Sequence, residues 1–249
     1  MDVSLYQAAA AMNATAKWQD LIAENLAAAS IPGARKQEIS FSNVEAGLAS
    51  NMTGSAVSSY SIPSAGVAIN FQQGELRSTG NPMDFAIEGP GFFTVQTPEG
   101  KKLYTRNGEF ELSGKGQLVT KQGYAVLGTG GPMQFNPNSS GPITISASGD
   151  VSQGDQVKGK LDLEEFKDPQ KLTPISTSTF EADPATPPTA ATKTNVRQGF
   201  VEGANTSPTT EMSSMITAMR MFESNQKVLQ MQSDRMSKAI SELGGTSSS

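Results

Sequence analysis

Carboxylates are the side chains of this chain best placed to act as an acid/base pair. Its 249 residues include no histidine and no cysteine, which removes the commonest general base, the commonest metal ligand and every thiolate nucleophile. Asp84 and Glu88 are the candidates for an acid/base pair, which would suit an enzyme acting on polysaccharides. The acids are scattered over turns and helix faces, where charged groups are usually solvated. We therefore expect no enzyme activity, no cofactor and no metal site.

Composition also bounds the class of protein. The net charge is -5 and no basic run occurs, so nucleic acid is a poor candidate partner. No stretch approaches the roughly 18 consecutive apolar residues of a transmembrane helix, which predicts that the chain is not an integral membrane protein. The N-terminus has no basic start followed by an apolar run, so no cleaved signal peptide is expected.

A 3-4 ladder of mainly apolar residues between Met212 and Leu243 predicts a long C-terminal helix. The mean spacing of 3.5 residues keeps one helix stripe facing another helix over many turns. Ser207 and Pro208 supply an N-cap and a first helical residue, and Gly244 ends the helix. Such a helix far exceeds the usual length of about 11 to 12 residues, so we expect neighbouring subunits to help cover its stripe. The ladder comprises Met212, Met215, Met219, Phe222, Gln226, Leu229, Ser233, Met236, Ile240 and Leu243.

The first 30 residues predict a second helix. Ten of them are alanine, the strongest helix former, and a weaker 3-4 ladder runs from Leu5 to Ala29. Pro32 and Gly33 end this helix. The two terminal helices would pack antiparallel, and Gln226 is the candidate for a polar seam residue that fixes register.

The middle of the chain carries strand signals without a helical period. From 74 to 168, alternating runs such as GFFTVQT, KLYTR and YAVLG are separated by glycine-containing turns, which predicts antiparallel β structure with an aromatic core. Asn107–Gly108 is the clearest hairpin signal, and Pro98–Glu99–Gly100 is a second. The prolines between 169 and 195 predict an exposed loop.

We therefore predict a mixed, mainly β fold with terminal helices: an antiparallel coiled coil of the N- and C-terminal helices plus a central antiparallel β domain. The predicted segments are an N-terminal assembly helix at 1–33, an extended connector at 34–73 that leads into a strand at 67–71, a β-rich domain at 74–201 that includes the Pro/Thr-rich loop 169–195, and a C-terminal heptad helix and tail at 202–249.

Three stretches resemble the flagellar basal-body rod and hook family, and most nearly its proximal-rod type. AENLAAASIPGARKQEISF (23–41) is similar to the family's Asn-Leu-Ala-Asn box and Gly-Phe turn. The long stretch 74–128, from GELRSTGNPMDF to QGYAVLG, resembles the family's central block, and 198–236, from QGFVEGANTSP to MQSDRM, resembles its closing motif. The chain departs from the pattern at Ala28, Ala34 and Ala204, so the N-terminal box is the least faithful part.

The resemblance implies a structural subunit of the basal-body rod. Such a subunit polymerises through its terminal helices into a tubular axial drive shaft and is required for flagellum-dependent motility. The resemblance also implies export by the flagellar type III apparatus without a cleaved signal, and assembly in the periplasmic space with copies of this chain and homologous rod subunits.

The candidate assembly interface lies on the two terminal helices and the segments beside them. A secreted β-rich binding module or adhesin with a coiled-coil stalk stays open as the alternative. The predicted interface residues are Leu5, Met12, Ile22, Asn25, Leu26, Asn205, Met212, Met215, Met219, Phe222, Leu229, Met236, Ile240 and Leu243.

Overall fold

A computed structural model of the chain describes residues 3–46, 60–136 and 141–245, apart from the side chains of 3–7, 41–46, 60–65, 239 and 242–245. The chain divides into two compact units. We call Met1–Leu26, Gln37–Ala68 and Pro208–Ser249 the helical unit, and Ala27–Lys36 and Ile69–Ser207 the β unit.

Each end of the described chain is a helix, as the sequence predicted. Helix α1 spans Val3–Ala28 and helix α2 spans Pro208–Gly245. Glu211 lies in the first turn of α2, where a negative charge is favourable beside the positive end of the helix dipole. The 38 residues of α2 give it a length of about 57 Å at 1.5 Å per residue.

The predicted connector contains two paired strands. Strands β1 (Gln37–Ala46) and β2 (Tyr60–Ile69) form a two-stranded sheet. The strand expected at 67–71 therefore begins earlier and ends at Ile69. Pairing with β1 explains the difference, because a partner strand stabilises a Ser-rich sequence whose own strand propensity is weak.

The β unit is built from short strands, and every pairing between its strands that the structure describes is antiparallel. The first eight are β3 (Leu76–Ser78), β4 (Phe85–Glu88), β5 (Phe92–Gln96), β6 (Lys102–Thr105), β7 (Phe110–Leu112), β8 (Leu118–Thr120), β9 (Ala125–Gly128) and β10 (Gly131–Pro132). The others are β11 (Ile143–Ile145), β12 (Asp150–Gln153), β13 (Gln156–Lys160), β14 (Leu163–Glu165), β15 (Thr173–Ser176), β16 (Thr179–Glu181), β17 (Thr189–Ala190), β18 (Asn195–Gln198) and β19 (Phe200–Glu202).

The main sheet has the strand order β15-β16-β6-β5-β9-β8-β7, with β10 beside β9, β14 beside β5 and β17 beside β14. Smaller sheets pair β4 with β18 and β3 with β19, and a three-stranded sheet has the order β11-β12-β13. The mainly β fold with terminal helices is thus confirmed.

Aromatic and branched side chains fill the core of the β unit. The predicted core aromatics Phe92, Phe93, Tyr104 and Phe110 are all at most 5% exposed. Phe93 packs edge-on to Phe110 with ring centroids 5.1 Å apart. The larger core cluster comprises Phe85, Ile87, Phe93, Val95, Leu103, Phe110, Leu118, Val126, Met133, Phe135, Val151, Leu161, Leu163 and Val196.

The two predicted hairpin turns have different outcomes. Pro98–Glu99–Gly100 joins the paired strands β5 and β6 as predicted, with Gly100 at a φ of 88°. Asn107–Gly108 does not join paired strands, because β6 lies between β5 and β16 while β7 pairs with β8. A Cβ on Gly108 would clash with the Phe85 carbonyl oxygen. This glycine therefore allows two backbone segments to approach closely. An Asn-Gly pair in the sequence fits that role as well as it fits a hairpin turn.

Residues 169–195 do not form a single exposed loop. They contain β15, β16 and β17, and Leu172 and Phe180 are 4% and 1% exposed in an aromatic cluster with Phe92 and Tyr104. Pro174 lies in β15, at the edge of the main sheet. An edge strand tolerates proline because one side of its backbone makes no sheet hydrogen bonds.

Candidate functional site

The covered face of α2 has heptad spacing. Ala218 is 0% and Glu211 is 1% exposed, whereas most of the helix surface is open to solvent. Successive covered positions alternate by four and three residues, the spacing of a helix that packs along one seam. We call this set the α2 seam: Glu211, Met215, Ala218, Phe222, Asn225, Leu229 and Gln232.

The α2 seam includes only part of the predicted ladder. Met215, Phe222 and Leu229 lie on it, half-buried, while Met212 and Met219 are 58% and 55% exposed. Gln226 is also exposed, and the polar seam residue is its neighbour Asn225. The ladder was traced through bulky apolar residues, whereas small Ala218 and polar Asn225 occupy the alternate seam positions.

Apolar side chains line both flanks of the α2 seam, at exposures of 38% to 58%. A helix with a single partner usually carries charged residues at the positions beside its seam, and apolar flanks widen the stripe that other helices can cover. One flank carries Met212, Ile216 and Met219, and the other carries Met221, Val228 and Met231. On the outer face, every seventh residue is polar or charged: Ser213, Arg220, Lys227 and Asp234.

Helix α1 has a buried face that touches α2. Thr15 and Ile22 are 4% and 2% exposed. The Asn225 side-chain nitrogen donates to the Thr15 hydroxyl at 3.2 Å, and that hydroxyl donates to the Ala11 carbonyl at 2.8 Å. The two terminal helices therefore meet at a polar pair within their covered faces.

Asn25, a predicted interface residue, binds the backbone of Gln37 at the start of β1. It is 3% exposed. Its amide nitrogen donates to the Gln37 carbonyl at 2.8 Å, and its amide oxygen accepts from the Gln37 N–H at 2.8 Å. Both hydrogen bonds bind β1 to the C-terminal part of α1, so the side chain has an intramolecular function whatever its part in assembly.

The other predicted residues of the helical unit differ in burial. Met12 and Leu26 are half-buried, Met236 and Ile240 are 42% and 66% exposed, and the side chains of Leu5 and Leu243 lie outside the described residues.

A buried ion triad lies in the β unit. Glu202 is fully buried, and its carboxylate accepts from Arg35 Nη2 at 2.6 Å and from Arg106 Nη1 at 3.2 Å. Each arginine is 3% exposed. Burial lowers the pKa of Arg106 to about 10, although Glu202 opposes the shift, so the guanidinium is still charged at neutral pH. Sequence analysis missed these residues; the available signal was a charged residue between apolar Val201 and Gly203.

Asn205 adds hydrogen bonds close to the Glu202 ion triad. Its side-chain oxygen accepts from the Lys36 N–H at 2.7 Å, and its nitrogen donates to the carbonyls of Asn70 and Gln72 at 2.7 and 3.0 Å. The Glu202 carboxylate also accepts from the Gly74 N–H at 2.8 Å. Three stretches far apart in sequence, 34–36, 70–74 and 202–205, are thereby held together within the β unit.

The carboxylates that could have formed a catalytic pair have separate partners. Asp84 is buried and accepts from the Asn81 amide at 3.0 Å, whereas exposed Glu88 pairs with Arg197 at 3.2 Å. Burial raises the pKa of Asp162 and of Glu164. Within the described ranges, no three acidic side chains are grouped as metal ligands, and no helix is both long and apolar enough to cross a bilayer.

Two family models match the chain. One, described as the flagellar hook protein FlgE/F/G D1 domain, matches residues 86–153. The other, described as the flagellar basal body rod FlgEFG protein C-terminal region, matches residues 197–242. The first match lies in the β unit. The second includes Glu202, Asn205 and most of α2.

Individual relatives match over more of the chain. The flagellar basal-body rod protein FlgF of Mesorhizobium japonicum is 33% identical over 99% of this chain and 100% of its own length. FlgF of Caulobacter vibrioides is 31% identical over 98% and 99%, respectively. The flagellar basal-body rod protein FlgG of Borreliella burgdorferi is 35% identical over 64% of each chain. This chain therefore belongs to the flagellar basal-body rod protein family, as a structural subunit of the proximal-rod type and not an enzyme.

Proposed function

We propose that this rod subunit polymerises through its terminal helices into the tubular drive shaft of the flagellum. One observation carries the proposal: α2 has a covered seam and, in addition, apolar flanks on both sides of it. Covering one large apolar side chain contributes about 1.5 to 3 kcal/mol. The flanks therefore offer neighbouring rod subunits a favourable surface. Its proposed members among the predicted interface residues are the exposed ones on α2, namely Met212, Met219, Met236 and Ile240.

The proposal includes an antiparallel pairing of α1 with α2. Ile22 lies seven residues after Thr15, and Ala218 lies seven residues before Asn225; both are at most 2% exposed. Seven residues advance each helix by about 10.5 Å. An antiparallel pair in contact at Thr15 and Asn225 would therefore place Ile22 beside Ala218. A parallel pair would place Ile22 beside Gln232, which is only half-buried.

Engineered disulfides test the direction directly, because the chain has no cysteine of its own. We expect the double variant Ile22→Cys/Ala218→Cys to form an intramolecular disulfide under mild oxidation. The matched pair Ile22→Cys/Gln232→Cys should stay reduced. Efficient cross-linking of the second pair and not the first would overturn the antiparallel arrangement.

Charge substitutions test assembly. Met219→Asp on the flank and Leu229→Asp on the α2 seam should each abolish swimming in a strain that lacks the wild-type chain, while the β unit stays folded by circular dichroism. Ser213→Asp is the control, because Ser213 lies on the polar outer face one residue from Met212. Wild-type swimming of the two apolar-site variants would refute the proposal, and so would a closed trimer of the purified chain that does not add to rod fragments.

We also propose that the subunit reaches the periplasmic space through the flagellar type III export apparatus, without cleavage of a signal peptide. Membership in a basal-body rod family supports this route, since the rod is part of the flagellar basal body. Mass spectrometry of the chain taken from basal bodies tests it. A mature chain lacking its first 15 to 30 residues, the size of a secretory signal, would contradict it.

A further inference from the structure

The exposed methionines among the described residues are concentrated on one helix. The chain has no cysteine, so its sulfur is carried by eleven methionines alone. Of the methionines whose side chains the structure describes, five are exposed, at 42% to 58%, and all five lie on α2: Met212, Met219, Met221, Met231 and Met236. By contrast, Met133 in the core of the β unit is 4% exposed. Among the described methionines, accessibility therefore favours reaction at the sulfur atoms of α2.

We propose that the exposed α2 methionines are a peroxide-modification site that controls whether a free subunit can assemble. This inference rests on the proposed function, because it assumes that α2 packs against neighbouring subunits. A thioether sulfur attacks one oxygen of hydrogen peroxide, a sulfur–oxygen bond forms and the oxygen–oxygen bond breaks. The leaving hydroxide removes the proton from the new S–OH group and becomes water. Sulfur loses two electrons to the peroxide, and the product is methionine sulfoxide.

The modification changes the faces that assembly would use. Met212 and Met219 lie on one flank of the α2 seam and Met221 and Met231 on the other, while Met236 continues the heptad of Met215, Phe222 and Leu229. A sulfoxide is polar where the thioether was apolar, and Met-rich interfaces lose affinity when oxidised. One polar group buried without a partner weakens an association by about tenfold. The α2 helix itself should persist, because these side chains are exposed in the free subunit.

The free subunit and the assembled subunit should also differ in reactivity. Methionines covered by neighbours are shielded from peroxide, so oxidation would act before incorporation and not afterwards. Methionine sulfoxide is reducible by dedicated reductases, which makes the block reversible. Reversible oxidation at this site would therefore regulate how many free subunits are able to assemble.

The test uses the purified full-length chain, treated with dilute hydrogen peroxide. Peptide mass spectrometry should find sulfoxide at the five exposed α2 positions before Met133. Binding to rod fragments from a strain lacking this chain, measured by co-sedimentation, should fall by about tenfold or more and recover after methionine sulfoxide reductase treatment. A variant with all five positions changed to leucine, a substitution that conserves volume, should bind before and after peroxide.

The outcomes separate the inference from the function it assumes. If oxidised wild-type chain binds as well as untreated chain, or if Met133 reacts as fast as Met219, the inference is overturned while the rod function stands. If untreated Met219→Asp binds normally, the assembly role of α2 itself fails. Should the leucine variant misfold, recovery of the wild-type chain by the reductase still decides the question.

Discussion

Strand β5 buries its apolar side chains, whereas helix α2 exposes many of its own. Phe93 and Val95 on β5 are 0% exposed, surrounded by the core of the β unit. Met212 and Met219 on α2 are more than half exposed. The β unit therefore completes its core with its own residues. Helix α2 presents apolar area that α1 does not cover.

The β unit and helix α2 gain their stability in different ways. Burial stabilises the β unit inside one chain, and the triad around Glu202 binds its distant segments together. Helices gain most of their stability from packing an apolar face. Because α2 has apolar flanks open to solvent, packing within the chain stabilises it less completely than the core stabilises β5.

Truncation of a core side chain should have the largest effect on stability. We expect Phe93→Ala to lower the free energy of unfolding of the β unit by about 4 kcal/mol, since it removes a fully buried ring and leaves a cavity. Met219→Ala should change the stability of the free chain by less than about 0.5 kcal/mol. Urea denaturation followed by circular dichroism measures both, and equal losses would erase the contrast between the two regions.

Removal of the buried charge should come next. Glu202→Gln leaves Arg35 and Arg106 buried without a counter-charge, which should cost about 3 kcal/mol. Glu88→Gln is the matched control, because the Glu88–Arg197 pair is about half exposed and exposed pairs are worth about 0 to 1 kcal/mol. If the two substitutions cost the same, the triad does not hold the β unit together.

Loss of the Asn25 side chain should have a smaller, local effect. Asn25→Ala removes both hydrogen bonds to Gln37 and should destabilise that contact by about 2 kcal/mol. Amide hydrogen exchange at Gln37 should then be faster. Asn13→Ala, an exposed position on the same helix, should leave this exchange rate unchanged, and an equal acceleration there would point to a general loosening of α1.

The pH dependence should be the smallest effect. Burial raises the pKa of Glu164 above its ordinary value of 4.5, so its ionisation costs stability as the pH rises through the raised value. Hydrogen bonds from Ser148 and Ser146 lower the pKa of Asp150, so its contribution is present at neutral pH and lost as the pH falls through the lowered value. Glu164→Gln should therefore gain melting temperature relative to wild type on going from acid to neutral pH, and Asp150→Asn should lose it.

A shift of the same sign in both variants would contradict these assignments. The measurement is differential scanning calorimetry of wild type and both variants at about pH 3 and about pH 7, which bracket the ordinary carboxyl range.

Much of the fold followed from local patterns. The caps and heptad spacing predicted α2, the alanine-rich start predicted α1, and alternation with turn residues predicted the antiparallel strands. The start of α2 at Ser207–Pro208 and the turn at Pro98–Glu99–Gly100 are each encoded within a few residues, so sequence alone suffices to predict them. Sequence alone also shows that no imidazole or thiolate can take part in catalysis, because the chain has no histidine and no cysteine.

The tertiary structure decided which residues share a contact. The sequence ladder placed Met219 and Gln226 on the covered face, but the structure places their neighbours Ala218 and Asn225 there. The contact with α1 decides between such neighbours, because the heptad periodicity of α2 fits a covered face shifted by one residue equally well. The Asn107–Gly108 turn and the Glu202 triad depend on partners from other strands; Arg35 and Arg106 are 167 and 96 residues from Glu202 in sequence. Sequence determines local backbone preference and apolar periodicity because both are set by neighbouring residues. Burial and ion pairing are set by residues that only folding brings together.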